Sequence, residues 1–194
     1  MLNQFYTNYC EDFYHVLKSI DQNSLEKLYH MLNEAYRSEK RIFILGNGGS
    51  CASATHWVCD MGKGINTETS QRMKIISLAD NTGIVTALGN DISFDDIFEY
   101  QLRNLAEPGD LVISLSVSGN SKNLIKGLVF AQKLGCGTAS IIGDYGGLVE
   151  RYSDLTLTIP SQNYGIVEDL HMVINHILSQ YIRLQNENSN KEVL

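Results

Sequence analysis

The sequence predicts an α/β fold in which a parallel sheet is covered by helices on both faces, with two further helices in front of it. Short apolar runs of strand length recur along the chain, amphipathic or glycine-flanked segments of helical period separate them, and glycine- or serine-rich turns follow two of the runs. Residues 4–19 place Phe5, Tyr9, Phe13, Val16 and Leu17 at helical spacing. Asp21 or Ser24 can cap a second helix that carries Leu25, Leu28, Leu32 and Tyr36 on one face. The period then changes. Arg41–Leu45, ending in Gly46, reads as a buried strand, and Lys74–Leu78, Leu111–Leu115, Thr138–Ile142 and Leu155–Ile159 read likewise. Helices are expected at Ser50–Met61, Thr82–Leu88, Asp95–Asn104, Ser121–Leu134, Gly147–Tyr152 and Ile166–Gln185. The expected organisation is one domain, with a helical pair at 1–40, an α/β core at 41–185 and a frayed polar tail, Asn186–Leu194.

Composition narrows the function classes. With 194 residues, 43% of them apolar, the chain can bury a core without staples. No apolar run is long enough to span a bilayer, and the start, acidic and amphipathic, has no basic region or cleavage site of a signal peptide. Fifteen Lys+Arg against 22 Asp+Glu give a net charge of −7 and no basic stripe, which argues against nucleic acid as a partner. Four cysteines, Cys10, Cys51, Cys59 and Cys136, show no CxxC spacing and read as reduced thiols of a cytoplasmic protein. An anionic metabolite stays compatible with this acidity if the site supplies its own donors.

Three features carry chemistry, and all follow strands or lie on the helices beside them. The first is Gly46-Asn47-Gly48-Gly49-Ser50, directly after a strand and opening a helix. Glycines let backbone N–H groups approach an anion, and a helix N-terminus favours negative charge. The spacing is neither a dinucleotide fingerprint, since position 51 is Cys51, nor a Walker loop. A plain strand-to-helix turn accounts for it equally well. The second is Ser116-Val117-Ser118-Gly119-Asn120-Ser121, whose hydroxyls at a helix start can hold phosphate without Lys or Arg. An ordinary serine cap is the simpler alternative, although one cap needs fewer hydroxyls.

The third is a set of acid–base groups. His56 and Asp60 are four apart and share a helix face. Glu168 and His176 are eight apart, about 80° apart at ~100° per residue, and share a broad face. Two imidazoles and two carboxylates suit either general acid–base work or zinc. Taken singly, each is more simply a satisfied surface or core group. Asp169 and His171 project elsewhere, His15 and His30 read as structural or solvated, and Trp57 reads as packing.

On these residues the sequence resembles the sugar isomerase (SIS) domain family, in particular its phosphoheptose isomerase branch. The motifs are GNGGS with His56 after it, LGND at 88–91, S-x-SGNS at 116–121, GDYGG at 143–147, and Glu168 to His171 with His176 beyond. The resemblance implies a flavodoxin-like three-layer sandwich with a five-stranded parallel sheet, and a homotetramer with active sites between subunits. It implies interconversion of sedoheptulose 7-phosphate and a manno-heptose 7-phosphate through an enediol, the first step toward nucleotide-activated heptose for lipopolysaccharide or capsule. No nucleotide cofactor is needed, since oxidation state is conserved. Ser116, Ser118 and Ser121 would hold the phosphate, with Asn120 in the same loop. Asn47, Gly48, Gly49 and Ser50 would lie beside the sugar, and Asn90, Asp91 and Glu168 would contact substrate. A carboxylate at position 60 would be the base and His176 the acid, with zinc among His56, Asp60, Glu168 and His176 in some members.

The chain departs from the family pattern at four places. Asp60 stands for Glu, Glu168 for Gln, Val117 for Thr and Gly64 for Arg, with Lys63 adjacent. The shorter Asp60 withdraws its carboxylate by roughly 1.5 Å, on a scale where ~1 Å can cost ~100-fold in rate. The paired change suggests that Glu168 supplies the base itself or joins Asp60 as a metal ligand. Two other functions fit the same motifs: a non-catalytic phosphosugar-binding regulator, and an isomerase of another phosphorylated sugar, since Gly64 and Val117 alter the pocket.

Overall fold

The computed structural model describes residues 1–68 and 70–191. Its centre is a five-stranded, wholly parallel sheet of β1 (Arg41–Gly46), β2 (Lys74–Ser77), β3 (Leu111–Ser116), β4 (Gly137–Gly143) and β5 (Leu155–Ile159), in spatial order β2-β1-β3-β4-β5. All five runs read as strands from their apolar content are strands. The helices are α1 (Leu2–Lys18), α2 (Gln22–Arg37), α3 (Gly49–Cys59), α4 (Thr82–Asp91), α5 (Glu99–Leu105), α6 (Lys122–Leu134) and α7 (Tyr164–Lys191). Of the two possible caps for α2, Asp21 is the one used, accepting from the Asn23 and Ser24 N–H groups.

Strand alternation divides the core into two layers. Ile42 and Ile44 of β1 face one layer with Leu28, Leu32, Trp57, Ile113, Ile141, Leu170 and Ile174. Phe43 and Leu45 face the other with Phe98, Leu102, Val112, Leu124 and Leu128. Helices α2, α3 and α7 cover the first face, and α5 and α6 the second. The order 2-1-3-4-5 reverses direction between β1 and β3, and the crevice beyond the carboxyl ends of strands at such a reversal is where ligands bind. Those two ends carry the glycine turn and the serine turn.

Four helical expectations are revised. The segment 95–104 is not one helix: Ser93 caps the Asp95 N–H with its hydroxyl, a short 3₁₀ turn Phe94–Asp96 follows, and α5 starts at Glu99. Gly147–Tyr152 is a 3₁₀ turn, Leu148–Tyr152. Helix α3 stops at Cys59 and widens into a π-helical turn, Asp60–Gly64, in which the Ile65 N–H reaches back to the Asp60 carbonyl at 3.1 Å. The tail does not fray at Asn186. That side chain is buried, donates to the Ile65 carbonyl at 3.1 Å and to the Tyr36 hydroxyl at 3.3 Å, and accepts from Arg37, so α7 runs on to Lys191. Residues 192–194 of the expected tail lie outside the described residues. No described helix is long and apolar enough to cross a membrane.

The residues read as structural are so placed. Trp57 is fully buried, and its Nε1–H donates to the His171 carbonyl at 3.1 Å, pinning α3 to α7. Tyr9 of α1 donates to Asp169 at 2.5 Å, docking α1 on α7. His171 is wholly buried, with Nε2 at 3.2 Å from the Ile141 carbonyl and Nδ1 without a partner. Burial pushes its pKa down from 6.5 to about 4. The fold therefore holds the neutral imidazole, and the unfolded chain binds the proton first. Stability from this group is intact above about pH 6.5 and is lost as pH falls toward 4, by up to about 3 kcal/mol. Denaturant titrations at pH 7 and pH 4.5 should show that extra acid loss in the parent and not in His171→Phe. Equal losses in the two proteins would remove His171 as the cause.

Candidate active site

The turn after β1 and the turn after β3 meet at the switch point and enclose a pocket of ≈260 Å³. Asn47, Gly48, Gly49 and Ser50 line one side, Ser116, Val117, Ser118 and Ser121 the other, and Tyr164 and Glu168 of α7 close it. The N-termini of α3 and α6 both open here, with Ser121 as the residue preceding α6. Their unpaired N–H groups and dipoles supply positive potential in an acidic protein.

Side chains fix the two turns to each other. Asn47 and Asn123 exchange amide hydrogen bonds of 2.9 and 3.0 Å. The Ser116 hydroxyl accepts from the Gly119 N–H at 3.0 Å and folds the serine turn back on itself. Asn120 does not line the pocket. Its amide donates to the Ser118 carbonyl and accepts from the Leu148 N–H, so it braces the turn. Gly119 has φ +65°, and a Cβ there would lie 2.9 Å from the Cα of Gly147, so the backbones at 119 and 147 cross with no room for side chains. That crossing explains Gly147, the last residue of the GDYGG run at 143–147.

A second group gathers beside this pocket. His56 and Asp60 come from α3 and its π-helical continuation, and His176 comes from α7. His56 Nε2 lies 3.2 Å, and His176 Nε2 3.4 Å, from Asp60 Oδ2, and the two Nε2 atoms are 3.4 Å apart. One ligand atom from each of the three falls within 4.8 Å of the others. Two imidazoles and a carboxylate at this spacing match the nitrogen and oxygen donors of a catalytic zinc site, which keeps further positions open. Both imidazoles are about half exposed and Asp60 a quarter exposed, so the cluster faces an opening. That opening, of ≈200 Å³, is lined by Asp60, Gly64, His176, Ser179, Gln180 and Arg183. Arg183 donates to the Gly64 carbonyl at 3.2 Å.

Glu168 does not join this cluster, against the expectation that it might serve as a fourth ligand. Its carboxylate packs on Gly49, so closely that a Cβ at 49 would overlap it, and it lines the loop pocket. Eight residues at ~1.5 Å rise set its Cα about 12 Å along α7 from that of His176, and its side chain turns to Gly49 and the loop pocket instead of to Asp60. Asn90 and Asp91 also lie apart. They end α4, exposed, with Asn90 donating to Asp91 at 2.7 Å, outside both pockets.

Three contributors escaped sequence reasoning. Tyr164, at the pocket mouth, and Asn123, the partner of Asn47, carry no motif. Asn175 donates from its side-chain amide to Asp60 Oδ2 at 2.6 Å. Its signal was available, as a polar residue inside the apolar stripe of α7 next to His176.

The profile of the SIS domain matches residues 5–143. The chain is 37% identical over 166 residues to the phosphoheptose isomerase of Geotalea daltonii, covering 84% of this chain and 86% of that one. It is 34% identical over 165 residues to a probable phosphoheptose isomerase of Thermoplasma volcanium, covering 85% and 84%. In fold it is similar to a phosphoheptose isomerase of Neisseria gonorrhoeae, with a TM-score of 0.85 at 23% identity over 94% of this chain and 98% of the other.

Proposed function

The chain belongs to the SIS domain family and, within it, to the phosphoheptose isomerases, and on that premise we propose that it interconverts sedoheptulose 7-phosphate and a manno-heptose 7-phosphate. The observation that carries the reading is the placing of a hydroxyl- and amide-lined anion pocket next to a His–Asp–His cluster, both built on α3 and α7. The rise along α7 from Glu168, which lines the pocket, to His176 of the cluster is about 12 Å, a span that suits a seven-carbon chain laid from phosphate to carbonyl.

In this reading the phosphate sits on Ser116, Ser118 and Ser121 and on the free N–H groups of α3 and α6. That remote binding energy orients the reacting carbons. Asn47, Gly48, Gly49 and Ser50 bound the sugar on the β1 side. Asp60 takes the proton from the carbon next to the carbonyl, and His176 gives one to the carbonyl oxygen. The roles reverse as the enediol collapses to product. His56, Asp60 and His176 are the residues that would hold zinc. When bound, the ion supplies Lewis-acid polarisation of the sugar's oxygens. Asn90 and Asp91 contact substrate only if a neighbouring subunit brings them, which fits a homotetramer with sites between subunits. We place the enzyme in the cytoplasm, at the first step toward nucleotide-activated heptose for lipopolysaccharide or capsule.

The test is incubation with sedoheptulose 7-phosphate, following aldose by NMR with and without added zinc, beside metal analysis and mass by light scattering. Aldose formation supports the reading. Tight phosphosugar binding without turnover would replace it with that of a non-catalytic regulator, and turnover of a different sugar phosphate alone would change the substrate.

Glu168 is assigned to the substrate rather than to the base or the ion, because its carboxylate packs on Gly49 beside the serine turn. Glu168→Gln is therefore expected to raise KM by up to about tenfold through a weakened hydrogen bond. The kcat should stay within about threefold and the metal content unchanged. Loss of metal or of kcat would return Glu168 to the cluster.

A further inference from the structure

We infer that Asn175 is a positioning residue that holds the Asp60 carboxylate from its buried side, an inference that rests on the isomerase reading above. Asn175 is fully buried on the inner face of α7, among the fully buried Leu170 and Ile174 and the nearly buried Leu178. Its amide nitrogen donates to Asp60 Oδ2 at 2.6 Å. Its amide oxygen is buried with no hydrogen-bond partner. A buried amide with one unmade bond is less favourable than an apolar side chain of the same size. Packing therefore gives no reason for asparagine here, and the bond to Asp60 does.

Asp60 needs such a hold. It stands at the start of the wide π-helical turn, where the regular backbone ladder of α3 ends. Its two other neighbours, His56 and His176, are half exposed and must stay free to meet the substrate. Both approach Oδ2, the atom to which Asn175 donates. Successive residues of α7 thus grip one carboxylate, Asn175 from the core and His176 from the opening. A reacting or ligating carboxylate works only within a narrow range of position, roughly 0.5 Å and 10–20°. The side chains that orient such groups typically change activity or metal affinity by ~10–100-fold when removed.

The experiment compares the parent with Asn175→Leu, which keeps the volume and removes the donor. We expect kcat on sedoheptulose 7-phosphate to fall ~10–100-fold, KM to change less than about twofold, and the unfolding midpoint without substrate to hold or rise. An unchanged kcat overturns the proposal. So does a loss of kcat with a parallel rise in KM and a lower midpoint, which would mark a general loosening of α7. If Asn175→Leu does not fold, Asn175→Ser takes its place with the same readings. Cobalt(II) affinity of the metal-free proteins, by titration calorimetry, is measured in parallel. If the parent shows no turnover, the isomerase reading fails by itself. The affinity then decides: ~10-fold weaker cobalt binding in the variant upholds the positioning role and equal binding ends it.

Discussion

Asp60→Asn is expected to lower kcat by ~10²–10⁴-fold, the range for removing a positioned general base, with a much smaller change in KM. The substitution keeps the size and planarity of the side chain and its contacts with α7. It removes the ability to accept a proton from carbon at neutral pH. Phosphate binding should survive, because the serine turn, the Asn47–Asn123 pair and the helix N-termini are untouched. Steady-state kinetics with inhibition by a non-reacting phosphosugar separates the two effects. A variant within about threefold of the parent in kcat would move the base to Glu168, the carboxylate in the loop pocket. A large loss of phosphosugar binding would mean that the two pockets are not the independent parts described above.

Trp57→Ala is expected to cost about 3–5 kcal/mol of stability, the range for emptying a large aromatic site. Trp57 is fully buried between α3 and the sheet, and its Nε1–H is bonded to α7 through the His171 carbonyl. That loss is a large share of the ~5–15 kcal/mol that holds a typical domain. At this chain length it corresponds to a drop on the order of 10 °C in the midpoint. The consequence for the site is direct. His56 is the next residue before Trp57, and His171 lies one turn before Asn175 and His176. A cavity here loosens the α3–α7 spacing that sets the 3.4 Å between His56 and His176. Trp57→Phe, which keeps most of the packing and loses the N–H, should cost clearly less. Calorimetry on both variants tests this; a cost below ~1 kcal/mol for Trp57→Ala would show that α3 is held elsewhere.

Much of the fold was legible because its elements are local and strongly patterned. Buried parallel strands read as unbroken apolar runs, and all five appear where such runs stand. Helix limits were less legible where one side chain decides them. The Ser93 hydroxyl starts a separate 3₁₀ turn ahead of α5, and the bonds of Asn186 to residues over a hundred positions away hold α7 to the core past the expected start of the tail. Within the site, the pairing of His56 with Asp60 follows from helical spacing alone. The destination of Glu168 does not, because helical spacing gives the face and the distance along the axis but not the neighbouring element on which the side chain packs, here Gly49.

What the sequence by itself determined is the parallel α/β architecture, the glycine and serine turns at two strand ends, and the chemical types present: hydroxyls for an anion, imidazoles and carboxylates for proton transfer or metal. Local periodicity and turn chemistry are properties of neighbouring residues, so they can be read in order. What only the tertiary structure decided is which of those groups meet. Asn175 reaches Asp60 across 115 positions of chain, His176 beside it does the same, and Glu168 goes instead to the pocket between the glycine and serine turns. Those outcomes depend on how α3 and α7 pack against one sheet face, which is set by the shape of the whole buried layer rather than by any segment alone.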